Sequence, residues 1–171
     1  PIIEEMRVEQ LCDECEFDQS PTPPRDVADA LTPLAATIGE EIRRISDDVV
    51  RRRPAPAVWS PLEYLGHLRE SMAFHRWLIE HALSEDNPAV PMVDPDESVA
   101  LAGYGESDSG ELIEQFERRV TRLVEALASL SDAAGERALT LGDRRISVAL
   151  VARSAWHECH HHLRDIQRTN S

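Results

Sequence analysis

The sequence contains no lysine, so all 18 of its basic side chains are arginines. Without a lysine amine, the chain is not expected to form a Schiff base with a carbonyl substrate. Basic residues are also scarce beside the 32 acidic ones, which leaves a formal net charge of −14. Because a nucleic-acid partner needs a basic surface that neutralises phosphates, this balance argues against nucleic-acid binding.

Long hydrophobic runs are missing as well. No segment approaches the roughly 20 apolar residues of a membrane-spanning helix, and no secretion signal opens the sequence, so we expect no membrane association. Cysteine is limited to three residues, an odd number that favours reduced thiols in a cytoplasm. The 171 residues are 42% hydrophobic, which is enough for one compact domain with a core.

What the sequence does contain is helical periodicity. Apolar residues recur at three- and four-residue steps in four segments, which predict helices over 26–51, 60–84, 109–130 and 147–168. Ser60 and Glu63 have the spacing of a capping box at the start of the second helix, and Ser147 is the expected cap of the fourth. We therefore predict an all-α fold in which four helices pack as one bundle.

The segments outside these helices are predicted to be less regular. Residues 1–24 lack a helical period and are read as an irregular N-terminal arm, followed by the bundle over 25–171. The Pro- and acid-rich segment 85–108 is read as a polar connection outside the core. "ALTLGDRRIS" predicts a short extended pair that turns at Gly142-Asp143.

The candidate chemistry is concentrated in "WHECHHHLRDI", residues 156–166, which spells H-E-x-x-H. His157 and His161 are separated by about 40° on a helix, a spacing at which two imidazoles can bind one ion. They lie opposite the apolar stripe of the fourth helix, so we expect them to face a wet cleft or the surface. A solvated helix end with extra histidines remains the alternative.

A metal site needs a third ligand, because a catalytic zinc usually has three protein ligands and a water. In the usual zinc protease layout this ligand lies downstream of the motif. Only "HLRDIQRTNS" follows His161, with Asp165 as its one candidate, so we expect the ligand upstream. His67, His75 and His81 of the second helix are the candidates there.

At this point the chain resembles a known family. "VWSPLEYLGHLRE" and "VARSAWHECHHHLRDI", separated by an amphipathic helix, resemble the DinB/YfiT-like superfamily, and "CDECEFD" resembles the opening of its actinobacterial members. The resemblance implies a four-helix bundle that holds a divalent metal through His67, His157 and His161. Zinc or nickel is the expected ion for such imidazole-rich ligands.

The resemblance also implies a chemistry, since characterised relatives are transferases or isomerases that use bacillithiol, mycothiol or glutathione. The expected function is thus a thiol-dependent transferase or isomerase in which the metal lowers the pKa of a thiol that attacks an electrophilic small molecule. A non-enzymatic protein that sequesters a metal or small molecule is one alternative. A metal-dependent hydrolase, with Glu158 or Asp165 activating water, is another.

Other residues leave further alternatives open. His160 and His162 could compete as ligands, and Glu158, His162 and Asp165 share a face as a rival group. Arg153 and Arg164 could steer an anionic cofactor or a substrate carboxylate, and Tyr104 in the long connection could touch a ligand, although ordinary surface positions explain all three. Apart from a small molecule, the partner considered is a second copy in a homodimer.

Cys12 and Cys15 form a C-x-x-C, which is the spacing of half a zinc site or of a redox pair. A complete structural zinc site needs two more ligands, and the sequence has no second C-x-x-C. The flanking acids oppose a lowered thiol pKa, which weakens the redox interpretation. We expect both thiols to be reduced and close together.

Overall fold

The computed structural model describes residues 11–169, so residues 1–10 of the predicted arm lie outside the described part. Seven α-helices, one 3₁₀ turn (Tyr104–Glu106) and three short strands follow one another along this range. The helices are α1 (Pro24–Arg44), α2 (Asp47–Val50), α3 (Pro61–Ser84), α4 (Pro95–Ala102), α5 (Ser109–Ala128), α6 (Asp132–Gly135) and α7 (Val148–Thr169). The strands are β1 (Ala89–Val90), β2 (Ala138–Leu141) and β3 (Arg144–Ser147).

The four long helices form the predicted bundle. Both α1 and α3 pack against α5 and α7, so α1 and α3 occupy a diagonal. The apolar stripes meet in one core, where Leu31, Leu65, Phe116 and Leu123 are fully buried. Within residues 11–169, no helix is long and apolar enough to span a membrane.

The first predicted helix is interrupted. Instead of continuing to residue 51, α1 ends at Arg44, Ile45 and Ser46 are extended, and α2 begins at Asp47. Serine and aspartate are preferred at helix starts, so "SDD" restarts the helix after the break. Both Ile45 and Val50, on either side of this change of direction, are buried.

The two helices that carry the candidate site begin where local sequence predicts. Ser60 Oγ accepts a hydrogen bond from the Glu63 backbone N–H, and the Glu63 carboxylate accepts one from the Ser60 N–H, which completes the capping box of α3. Ser147 Oγ accepts from the Leu150 N–H at the start of α7. These caps set where each site helix begins.

A three-stranded sheet covers one part of the bundle. β2 and β3 pair in antiparallel fashion as the predicted extended pair, with Gly142 at φ 62° in the turn. β1 joins β2 in parallel and comes from the segment 85–108, which also contains α4. The expectation that this segment stays outside the core is corrected in part: most of its residues are exposed, but three of its apolar side chains are buried in the core, namely Val90, Val99 and Tyr104.

Candidate metal centre

The packing of α3 against α7 brings three potential metal ligands together. His67 Nε2 lies 2.9 Å from Glu158 Oε2, and His162 Nε2 lies 3.5 Å from the same oxygen. Glu158 and His162 are four residues apart on one face of α7, and His67 reaches them from α3. We call these three residues the His/Glu cluster; their ligand atoms all lie within 4.8 Å of one another.

The electrostatics of the His/Glu cluster favour a charged carboxylate. Burial would raise the pKa of Glu158, but hydrogen bonds to His162 and His67 hold it well below its ordinary value. Burial would lower the pKa of His162, but hydrogen bonds to Asp165 and Glu158 raise it to about 9. Glu158 is therefore already an anion, as a carboxylate ligand must be, whereas His162 must lose one proton to solvent when an ion binds.

A cavity of about 690 Å³ opens beside this cluster, and His67 and Glu158 form part of its wall. The volume lies in the range of small-molecule sites. Apolar side chains provide much of the lining: Phe74, Met92, Val93, Leu101, Tyr104 and Leu141. Tyr104 is buried, and its ring lies so close to Gly66 that an added Cβ there would be 2.5 Å from three ring atoms.

The structure does not bring His67, His157 and His161 together. His157 Nε2 lies 3.4 Å from Cys15 Sγ, and His161 Nδ1 lies 3.7 Å from Cys12 Sγ, so this pair faces the arm. The reason is that each residue step rotates a helix by about 100°, which points neighbouring pairs in different directions. We call Cys12, Cys15, His157 and His161 the Cys/His cluster; their ligand atoms also lie within 4.8 Å of one another.

Sequence reasoning missed the division of α7 into two ligand pairs, although the helical wheel contained the signal. Glu158 and His162 flank the apolar stripe that includes the fully buried Cys159, whereas His157 and His161 lie on the opposite side. The rival group of Glu158, His162 and Asp165 is connected through His162, whose Nδ1 lies 2.9 Å from Asp165 Oδ2.

The remaining predicted residues are distributed over the molecule. Arg164 pairs with Glu16 of the arm at 3.5 Å, and Arg153 lines a second cavity of about 360 Å³. Neither arginine is among the residues that line the larger cavity. His75 is buried between Ser71 and Ser154, and His81 lies beside Glu85 at the end of α3.

The fold and the His/Glu cluster define a four-helix bundle with a residue group that could hold a divalent ion. The chain belongs to the DinB superfamily, whose family model matches residues 26–166. It is similar in structure to YfiT from Bacillus subtilis, described as a probable metal-dependent hydrolase with an unusual four-helix bundle topology. That similarity has a TM-score of 0.77 and 18% sequence identity over 85% of each chain, and it establishes the fold alone. A comparison with curated proteins gave no match.

Proposed function

We propose that this protein is a metal-dependent enzyme that joins a low-molecular-weight thiol to an electrophilic small molecule. The observation that carries this proposal is the convergence of His67, Glu158 and His162 beside an apolar cavity whose wall includes His67 and Glu158. Two imidazoles and one carboxylate are a known ligand set of catalytic zinc, which keeps a further position open. Zinc is the first ion we propose, and nickel the second.

The surroundings of the His/Glu cluster fit a bound ion. Ligating histidines usually donate their other ring N–H to a carboxylate or carbonyl, which fixes the tautomer and the ring orientation. Asp165 stands in that position, 2.9 Å from His162 Nδ1, so that Nε2 is left to face the other two ligands. Asp165 is thus a positioning residue in this proposal.

An ion held there would supply Lewis acidity that lowers the pKa of a thiol, the chemistry implied by the family resemblance. The apolar walls would hold the electrophile and exclude water from it. Arg69 also lines the cavity, and its Nε is buried without a hydrogen-bond partner among the described residues. We propose that Arg69, rather than Arg153 or Arg164, receives an anionic group of the thiol or the substrate.

The proposed reaction balances without a redox partner. The thiol releases its S–H proton to solvent, and its sulfur forms a bond with the electrophilic carbon. In a transfer, a leaving group departs from that carbon with the bonding electron pair. In an isomerisation, the sulfur adds to a carbon–carbon double bond, and the π electron pair moves onto a conjugated carbonyl oxygen. After rotation about the resulting single bond, the pair returns to re-form the double bond, and the thiolate leaves with the electrons of the carbon–sulfur bond. Such thiols belong to a reducing cytoplasm, where we place the protein.

The placement of the carboxylates supports this reaction over hydrolysis. A hydrolase was expected to use Glu158 or Asp165 as the base that activates water. Glu158 accepts hydrogen bonds from two imidazoles in the His/Glu cluster, and Asp165 is engaged with His162 and is not among the residues lining the cavity. Neither carboxylate is free beside the space where a substrate would bind.

The test is conjugate formation by the zinc-loaded protein, with glutathione, mycothiol and bacillithiol each paired with a panel of electrophiles. Mass spectrometry should detect a thioether, or chromatography an isomerised product of unchanged mass, and Glu158→Gln should abolish either product while changing the side chain's shape very little. The matched control is His81→Ala, because His81 is on the same helix as His67 but outside the cluster.

Three outcomes would overturn the proposal. Product formation that needs no thiol would support a hydrolase instead. Conjugation that survives Glu158→Gln would place the chemistry elsewhere. A protein that binds zinc tightly but turns over no pair of reactants would support sequestration.

A further inference from the structure

Residues 11–18 of the arm form a tight hairpin that presents two thiols. Leu11 bridges to Asp18, the Cys12 N–H donates to the Phe17 carbonyl at 3.0 Å, and the Glu16 N–H donates to the Cys12 carbonyl at 2.7 Å. Glu16 closes the turn with φ 59°. Both cysteines are free thiols, and their Sγ atoms lie on the same side of the turn, within 4.8 Å of each other.

The hairpin packs against α7, where His157 and His161 complete the group. Cys15 is 1% exposed and Cys12 is partly buried, so the four ligand atoms are enclosed between the arm and the helix. Phe17 stacks on the His157 ring with centroids 4.9 Å apart and meets the Trp156 ring edge-on at 4.8 Å. These contacts hold the arm beside His157 and His161. None of them involves a residue of the His/Glu cluster.

We propose that the Cys/His cluster binds a structural zinc ion that fastens the N-terminal arm to α7. Two thiolates and two imidazoles are a typical tetrahedral zinc ligand set, and C-x₂-C with H-x₃-H is a typical spacing for it. Two thiolates balance the charge of Zn²⁺, so the complex is neutral and suited to a buried position. Four protein ligands leave no open coordination position, which makes the site structural rather than catalytic.

The outer contacts of His161 fit this assignment. His161 turns Nδ1 toward Cys12, while its Nε2 lies 3.2 Å from Glu14 Oε2 and 3.6 Å from Asp165 Oδ2. A carboxylate on the far ring nitrogen is the usual partner of a ligating imidazole. Because Asp165 also contacts His162, it links the two clusters through one side chain.

The proposed zinc would therefore be bound to α7, the helix that also carries two residues of the His/Glu cluster. α7 supplies His157 and His161 to one cluster and Glu158 and His162 to the other. A bound ion would hold the arm, whose Phe17 and Gln19 line the cavity of about 360 Å³ together with His157. This structural role is independent of the reaction proposed for the His/Glu cluster.

The decisive measurement is zinc X-ray absorption on the full-length variant His67→Ala/Glu158→Gln, in which the His/Glu cluster lacks two of its three ligands. We expect this variant to retain one equivalent of zinc, with two sulfur neighbours at about 2.3 Å and two nitrogen neighbours at about 2.0 Å. Loss of all zinc, or a spectrum with only nitrogen and oxygen neighbours, would overturn the proposal. Neither result depends on whether the His/Glu cluster is catalytic.

Elemental analysis of a variant that lacks the two arm thiols tests the same site from the opposite side. Cys12→Ser/Cys15→Ser should lose one zinc equivalent relative to the unmodified protein and keep the one bound by the His/Glu cluster. His160→Ala is the matched control, because His160 contacts the Cys15 carbonyl through Nε2 but is not a ligand, so its zinc content should not change. An equal zinc content in the cysteine variant and the unmodified protein would overturn the assignment.

Thiol alkylation provides a readout in the unmodified chain. Cys12 and Cys15 should resist iodoacetamide in the zinc-loaded protein and react together after a chelator is added. Cys159 is fully buried in the core and serves as the internal control that reports global unfolding. A disulfide between Cys12 and Cys15 in anaerobically purified protein would favour a redox pair and overturn the zinc site.

Discussion

Gly66 immediately precedes His67 on α3, and its lack of a side chain makes room for Tyr104. A Cβ at this position would lie 2.5 Å from three atoms of the Tyr104 ring, which is only 4% exposed and lines the larger cavity. Gly66→Ala should therefore displace the ring and destabilise the wall of the cavity next to the His/Glu cluster.

The expected size follows from two opposing effects. Overpacking a core costs about 1–3 kcal/mol, and three contacts with a rigid buried ring put this case near the upper end. Alanine favours a helix over glycine by about 1 kcal/mol, which offsets part of that cost. We expect a net loss of about 2 kcal/mol in the free energy of unfolding, or a fall of roughly 4–8 °C in Tm for a chain of this length.

A double-mutant cycle measured by thermal and denaturant unfolding, at one fixed zinc concentration, tests this reasoning. In a Tyr104→Ala protein the ring is gone, so Gly66→Ala should now stabilise the fold by about 1 kcal/mol. Gly135→Ala is the matched control, because the nearest atom to its added Cβ is 3.6 Å away. An equal loss from Gly66→Ala in both backgrounds would refute the reasoning.

Two further predictions concern positioning and protonation. Asp165→Asn should lower the zinc affinity of the His/Glu cluster by about 10–100-fold, measured by chelator competition in a protein without the two arm thiols, because the anion that orients His162 is lost. Unchanged affinity would contradict this, and Glu114→Gln is an exposed control with the same charge change. Burial lowers the pKa of His75, although its hydrogen bond to the Ser71 carbonyl opposes the shift. The imidazole of His75 therefore binds a proton more readily in the unfolded chain than in the folded one. The free energy of unfolding is fully retained above the unfolded pKa of about 6.5 and falls as pH drops below it. His75→Gln should show a smaller loss of unfolding free energy over that interval than the unmodified protein, and equal losses would count against the shift.

Several parts of the fold were predictable because they depend on local sequence. The α3 capping box needs only Ser60 and Glu63 three residues apart, and the turn between β2 and β3 needs a residue such as Gly142 that tolerates positive φ. The break after Arg44 was not predictable from periodicity, because the apolar spacing continues across it and only packing of Ile45 and Val50 shows where the chain changes direction.

The sequence by itself determined the four long helical segments, the β2–β3 pair and which residue types could bind a metal. It gave α7 two overlapping pairs at helical spacing, His157 with His161 and Glu158 with His162. Only the tertiary structure decided which pair meets His67 and which meets the arm thiols. The physical reason is that residue spacing fixes the angle between side chains on one helix, whereas the rotation of that helix about its axis is set by burial of the whole apolar stripe against its neighbours.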